Sequence, residues 1–338
     1  YNDDAGNNNG SAYIFVKSGN RTWNQQVKLL PSDPLSSNDQ FGRSVAIYDN
    51  YVIIGAPGNT NRAFIFKRDS GTTWTQEAKI QPSDNTNDQF GEVVAIHGDY
   101  AIITANTDDD AGTNTGSAYI FARSGTTWSQ QAKLIGSDVA DNHRFGQYGA
   151  DINEDYAIVG SEKVTVGSAY AAGSAYIFKK DSGTTWTQQA KLIASDPTLG
   201  DKFGGDVAIS ENCAIVGAFG NVGAVYVFTR TGTTWTQQAK LLASDSASNN
   251  VFGEKVAIGG NYIIVSAPAS YGSAYMFHIP YGISTTTQQV EKWDSNINLD
   301  VSGNIYFTGD IIKNGSVINT SGAQGFQGII GAQGPAGG

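Results

Sequence analysis

Three consecutive carboxylates, Asp108, Asp109 and Asp110, form the densest cluster of hard ligands in the sequence. Such groups hold calcium or magnesium when they alternate with other residues, so that several oxygens converge on one point. Here they are adjacent and their side chains diverge, and Asp3 and Asp4 form a smaller copy in a parallel segment. Both stretches read as solvated turns, with no metal expected. A second acidic feature is repetitive. Ser-Asp pairs end in Asp33, Asp84, Asp138, Asp196 and Asp245, and a further Asp follows at Asp39, Asp88 and Asp201. Recurrence points to turn capping through backbone N–H groups, because a functional site normally occurs once. Trp23, Trp74, Trp128, Trp186 and Trp235 recur at matching positions. An exposed indole would stack on sugar rings, but packing between repeated units is the preferred reading. His97, His143 and His278 fall at unrelated positions, which gives neither a metal triad nor a Ser-His-Asp arrangement. With no nucleophile elbow or phosphate loop either, no enzyme chemistry and no cofactor are expected.

The elements that carry these residues repeat. Phe-Gly occurs at Phe41-Gly42, Phe90-Gly91, Phe145-Gly146, Phe203-Gly204 and Phe252-Gly253. Each pair opens the same series: an alternating run such as SVAIYD, a short turn, an apolar run such as YVIIGAP, a loop, then GSAYIF or a relative, and finally WTQQAKL or a relative. Four short segments rich in Val, Ile, Tyr and Phe, separated by turn residues, make an antiparallel meander with strands A to D. Alone, such a unit would expose both faces, and stacking units around an axis buries them. The fold class is therefore an all-β propeller of four-stranded blades.

Composition agrees with this reading. The chain has 338 residues, 40% of them hydrophobic and 15% charged, with a net charge of −10. No Lys/Arg run is present, which argues against nucleic-acid binding. No apolar stretch approaches the roughly 18 residues of a spanning helix, so no membrane insertion is expected. No signal peptide or initiator Met opens the chain, which reads as processed or as a fragment. Cys213 excludes an intrachain disulfide and takes the place held by Tyr51, Tyr100, Tyr156 and Tyr262, as a small buried hydrophobe would.

The combination Phe-Gly, Gly-Ala-Pro and Gly-x-x-Tyr-x-Phe resembles the FG-GAP repeat, the blade unit of the integrin alpha-subunit head and of bacterial and viral surface proteins. The resemblance covers about residues 10–293 and implies a propeller. The integrin family places calcium loops in the A–B hairpin. Here those hairpins are only "DN", "GD", "NED", "EN" or "GGN", too short for such loops. Five complete units are preceded by a C–D pair that lacks A and B. Six blades are favoured, with 296–309 or upstream chain completing that pair, and seven is the number the resemblance implies.

The A–B and C–D turns are short and uniform, whereas the B–C and D–A loops vary and share one face. Variable loops on a rigid scaffold are where binding usually resides. Asn59, Asn61, Asp108, Asp110, Asn114, Lys163 and Tyr170 are the candidate ligand-face residues.

Residues 1–293 form the head, 294–320 a β-hairpin neck and 321–338 a stalk. The stalk has glycine at every third position, Gly322, Gly325, Gly328, Gly331, Gly334 and Gly337. Only glycine fits the axis of a collagen triple helix, so this period implies three chains, aligned by the neck. Head, neck and stalk together resemble trimeric viral or bacterial surface fibres. The expected function is a non-enzymatic adhesive head on a virion or cell surface, self-associating as a homotrimer and binding a surface glycan or protein receptor. A lectin-like propeller is the alternative. The sequons at Asn9, Asn20, Asn314 and Asn319 suit an extracellular place.

Overall fold

The computed structural model describes residues 9–19, 22–84, 88–181, 183–244, 251–268 and 272–278, with backbone strands at 289–293, 299–302, 311–313 and 316–318. Among the described residues every regular element is a strand. A two-stranded sheet, β1 (Ala12–Lys17) and β2 (Trp23–Leu29), comes first. Blade 1 follows as β3 (Val45–Tyr48), β4 (Tyr51–Ala56), β5 (Arg62–Ser70) and β6 (Thr73–Ile80). Blade 2 is β7 (Phe90–His97), β8 (Tyr100–Ala105), β9 (Ser117–Ser124) and β10 (Thr127–Leu134). Blade 3 is β11 (Ala150–Ile152), β12 (Tyr156–Ser161), β13 (Ser174–Lys180) and β14 (Trp186–Leu192). Blade 4 is β15 (Phe203–Ser210), β16 (Cys213–Ala218), β17 (Ala224–Thr231) and β18 (Thr234–Leu241). Blade 5 is β19 (Val256–Gly259), β20 (Tyr262–Ala267), β21 (Ser273–His278) and β22 (Gln289–Trp293), extended at its edge by β23 (Leu299–Ser302).

The propeller thus has five four-stranded blades, not the six or seven expected from the sequence. Sequence counting scored the lone C–D pair β1–β2 as a blade. The hairpin-like segment expected to complete it instead places β23 against β22, where Trp293 pairs with Leu299. Most of the neck and all of the stalk, with its glycines, lie outside the described residues, as do Asp3, Asp4 and Asp245. Within the neck, β24 (Ile311–Lys313) and β25 (Ser316–Ile318) pair antiparallel.

Each Phe of the Phe-Gly pairs is at most 1% exposed. It meets the C strand of its own blade edge-on, as Phe203 does with Tyr226 and Phe228 at 5.3 and 6.0 Å. The glycine exists for the neighbouring blade. A Cβ on Gly160 of β12 would lie 2.0 Å from the carbonyl oxygen of Gly204, and Gly55 and Gly217 meet Gly91 and Gly253 in the same way. Only two glycines let the backbones of successive blades approach this closely.

Polar side chains lock the same interfaces. The first Gln of β6, β10, β14 and β18 reaches the Ser of the preceding D–A loop: Gln76 Oε1 accepts from Ser32 N at 2.9 Å, and Gln188 Oε1 accepts from Ser137 N at 2.9 Å while its Nε2 donates to Ser137 Oγ at 2.9 Å. Gln130 and Gln237 repeat this with Ser83 and Ser195. The adjacent Asp138 accepts from Lys191 Nζ at 2.5 Å and Tyr176 Oη at 2.8 Å, and Asp196 does so from Lys240 and Tyr226. Burial pushes the Asp138 carboxyl up, but these donors outweigh it and hold the group below its usual range.

The second Gln position is a β-bulge in all four of these C–D pairings and in β1–β2. In three of them the bulged residue accepts the indole N–H of the next blade: Gln26 from Trp74, Glu77 from Trp128 and Gln189 from Trp235. The first Asp of the repeated motif is therefore a bridge between blades rather than a turn cap. The second Asp does cap, since Asp39 and Asp201 accept from Ser36 N and Thr198 N at 2.6 Å. The Trp reading holds between blades, with Trp128, Trp186 and Trp235 meeting Tyr51, Tyr100 and Tyr156 of the preceding blade at 5.9–6.3 Å. Trp23 and Tyr262, on the two terminal faces, are 62% and 51% exposed. Cys213 is half-buried rather than buried, and desolvation pushes its thiol up to about 11.

The steric and polar parts of an interface should separate by mutation. Gly160→Ala forces a methyl group into the Gly204 carbonyl and should destabilise by about 3 kcal/mol. Lys191→Met removes a half-exposed ion pair and should cost about 1 kcal/mol or less. Urea unfolding of the two variants checks the order.

Candidate functional site

The innermost strands of all five blades enclose a central cavity of about 580 Å³. Ser44 Oγ accepts from Val94 N, Asp151 Oδ2 from Ile209 N and Asp206 Oδ2 from Val256 N, which ties consecutive inner strands together around it. Residues just after four of the Phe-Gly pairs form its rim on the loop-rich face: Arg43, Glu92, Gln147, Tyr148 and Glu254. Arg43 and Glu92 pair across blades 1 and 2 at 2.5 Å. Burial pushes Asp151 up to about 7 and Asp206 up to about 6, the latter despite Lys255 at 3.5 Å.

Two loop clusters differ from the repeat. In blade 2, Asp108 and Asp110 come together with Asp84 from the preceding D–A loop, their oxygens within 4.8 Å of one another. Lys133 Nζ bonds all three, at 2.6, 2.5 and 2.8 Å, and takes the position a metal would take. Tyr119 Oη adds hydrogen bonds to Asp84 and Asp108. Burial works against the Lys133 charge, yet the three carboxylates raise its pKa. Asp109 points elsewhere and accepts from Asn114 N. The expected solvated turn is thus an ion-paired cluster around Lys133, with Asp108 only 1% exposed. Burial first, then Asp108, Asp109 and Asp84, push Asp88 beside it up to about 6.

The second cluster lies where blade 3 meets blade 4. The loop between β12 and β13 folds on itself through mutual Val166 and Ala169 backbone bonds. It is pinned to the next D–A loop by Gly200 N to Tyr170 O, Lys202 N to Ala171 O and Phe203 N to Ala172 O, at 2.8–3.0 Å. Glu162 begins this loop. It is 2% exposed, and no other residue hydrogen-bonds either carboxylate oxygen. Burial pushes it up to about 7, opposed first by its own backbone N–H and then by Lys163, Lys202 and Arg144. The Arg144 Nε is likewise buried and unbonded. Lys202 Nζ stands 4.8 Å over the Phe219 ring, which meets Tyr148 of the cavity rim edge-on at 5.8 Å.

The ligand-face candidates divide accordingly. Asn61 is buried, with its Oδ1 accepting from Phe90 N, and Asn59 donates to Ser37 O. Asn114 bridges to Asp109 and Asn142, and Asp110 is held by Lys133. These four, with Asp108, build the loops. Lys163 and Tyr170, the latter 66% exposed, stand at the second cluster. Sequence reasoning missed Arg144, Lys202, Glu162 and Phe219. The available signal was repeat alignment: the residue before Phe-Gly is the uncharged Gln40, Gln89 or Val251 in the other repeats, and Glu162 replaces Pro57 and Pro268. The histidines are engaged separately, with His97 stacked on Tyr48 and His143 Nδ1 accepting from Ala140 N.

A model of the FG-GAP repeat matches residues 23–72, 74–121, 128–178, 186–228 and 235–277. The chain belongs to the FG-GAP repeat family. Each match starts on a D-strand Trp and ends with the next C strand, so an FG-GAP unit spans one blade interface. No curated protein matches the chain. Among solved structures, a 6-phosphogluconolactonase-like protein from Bacteroides uniformis superposes with TM-score 0.53 at 12% identity, covering 86% of this chain and 90% of that one. Saccharomyces cerevisiae Sqt1 gives TM-score 0.45 at 9% identity, over 78% and 74% of the two chains. The likeness to the Bacteroides protein is one of fold. No helix among the described residues is long and apolar enough to cross a membrane.

Both clusters yield stability predictions. Lys133→Met leaves buried Asp108 without its counter-ion and should cost about 3 kcal/mol in urea unfolding at pH 7. Glu162 has a folded pKa above its ordinary 4.5, so the folded state keeps its proton longer and stability falls as pH rises from 4.5 through about 7. Glu162→Gln should therefore stabilise at pH 8, by up to roughly 3 kcal/mol, and change little at pH 5. Paired denaturant titrations at the two pH values check the sign.

Proposed function

We propose that this FG-GAP propeller is a non-enzymatic adhesive head, displayed on a virion or cell surface as part of a trimeric fibre, and that its loop-rich face makes the attachment. The observation that carries the reading is how the recurring chemistry is spent. The repeated Ser, Asp, Gln, Tyr, Lys and Trp residues bond or pack one blade to the next. What remains outside that scheme sits in the B–C and D–A loops of one face. A rigid platform with differing loops suits recognition of a partner surface. The lectin alternative loses its main support, because the indoles of Trp128, Trp186 and Trp235 pack between blades. The three-residue glycine period at 322–337 supports trivalent display, in which weak contacts add as avidity.

Cutting the loops at 107–115 and 162–171 to the length of the blade 1 loop should abolish binding to cells that the intact chain coats, while a D-strand surface variant such as Thr187→Ala should still bind. Sedimentation of the intact chain should give a trimer. A monomer would remove the fibre part of the reading, and undiminished binding by the loop-cut chain would remove the attachment part.

A further inference from the structure

The blade 3–4 cluster has a composition unlike the rest of the molecule. On a chain with net charge −10, the backbone brings Arg144, Lys163 and Lys202 together: Ser161 Oγ donates to His143 O at 3.0 Å, Lys202 N donates to Ala171 O at 3.0 Å, and the charges of Arg144 and Lys202 both act on Lys163. Desolvation and the two neighbouring cations lower the pKa of Lys163, so its charge is under-compensated. The one carboxylate among them, Glu162, lies beneath the surface and hydrogen-bonds none of the three. Four other lysines, Lys79, Lys133, Lys191 and Lys240, each bond the Asp of a D–A loop. The backbone around the cluster is already bonded within its own loops and offers no free strand edge, so recognition there falls to side chains.

We propose that Arg144, Lys163 and Lys202 bind a carboxylate of an acidic segment on a partner protein, at the rim of the central cavity and beside the exposed Tyr148 and Tyr170. The cations fit this occupant because two of the three are lysines, flexible point charges that meet a mobile Asp or Glu side chain without fixed geometry. A carboxylated sugar fits less well. It needs an open ring face beside fixed polar partners, and Phe219 is covered by Lys202 and stands against Gly205, where a Cβ would lie 2.2 Å from the ring. A long polyanion is opposed by the net charge of the whole chain, whereas a short segment meets only the local positive field. The loop that presents Lys163 and Tyr170 is held in place by its own hydrogen bonds, which lowers the ordering cost of binding.

This deepens the attachment reading by naming the chemistry of the occupant, and it is tested apart from cell binding. A fluorescein-labelled peptide, Gly-Glu-Glu-Glu-Gly, is titrated with the full chain by fluorescence anisotropy at low and at high salt. Binding should weaken with salt, and Lys163→Ala/Lys202→Ala should weaken it by about tenfold. Arg144→Gln should weaken it in the same direction. Lys17→Ala/Lys28→Ala removes the same net charge from β1–β2 and should change the affinity by less than about twofold. Thermal melts establish that each variant is folded. No binding by the intact chain, equal loss in the two lysine pairs, or binding of an oligogalacturonate in place of the peptide would each overturn the proposal. Peptide binding that persists in a chain unable to coat cells sinks the attachment reading and leaves this site standing.

Discussion

A four-stranded antiparallel blade has two apolar faces and cannot cover either one, so everything in this molecule depends on how closely one blade approaches the next. The approach is set at backbone level by the paired glycines Gly55 and Gly91, Gly160 and Gly204, and Gly217 and Gly253. Once the backbones are that close, the Phe of each Phe-Gly pair and the C-strand aromatics close over the contact. Their burial decides the energetics. A buried aromatic contributes roughly 1.5–3 kcal/mol, against at most about 1 kcal/mol for a half-exposed Lys–Asp pair. The polar latch therefore adds less to cohesion than to order. It fixes which D strand faces which loop, and a shift of one residue would unpair Gln, Lys and Tyr together.

Much of this was legible in the chain. Strand positions, the meander and the propeller follow from alternation, apolar runs and turn residues, all of which act within one repeat. The partners of the Ser-Asp motif were not legible, because Lys191 and Tyr176 lie far along the chain from Asp138 and nothing local points to them. The blade count failed for a related reason. Pattern shows that β1 and β2 are C and D strands, but it does not show what pairs with their open edge. The trace of the interface was nonetheless present as co-occurrence. Where the Tyr of the B strand becomes Cys213, the D segment of the following repeat, TTTQQVEKW, has Thr where the other repeats have the leading Trp, so the two substitutions occur together in the sequence.

The candidate site was read only in part, and the reason is physical. Lys163 and Tyr170 stood out because their loop is long. Arg144, Lys202, Glu162 and Phe219 occupy ordinary repeat positions, two of them directly before Phe-Gly or within a residue of the glycine pair. Their chemistry arises only when blades 3 and 4 meet. Asp108 and Asp110 misled in the opposite direction. As sequence they are a bare acidic run, but the fold delivers Lys133 between them and converts a candidate metal site into a structural knot.

The two clusters show how a repeat fold makes a site without breaking its frame. Every blade supplies the same positions around the cavity rim, so a ligand gains specificity only where blades differ. In blade 2 the differing residues are acidic, and Lys133, already fixed by the latch, bonds Asp108 and Asp110 as well as Asp84, so the cluster closes on itself. Between blades 3 and 4 the differing residues are basic. The latch there pairs Lys240 with Asp196, and the carboxyl that acts on Lys163 is Glu162. That carboxyl is buried and pushed toward its neutral form, which withdraws the one local counter-charge. The positive field thus persists at the surface because the scaffold that would cancel it is occupied elsewhere.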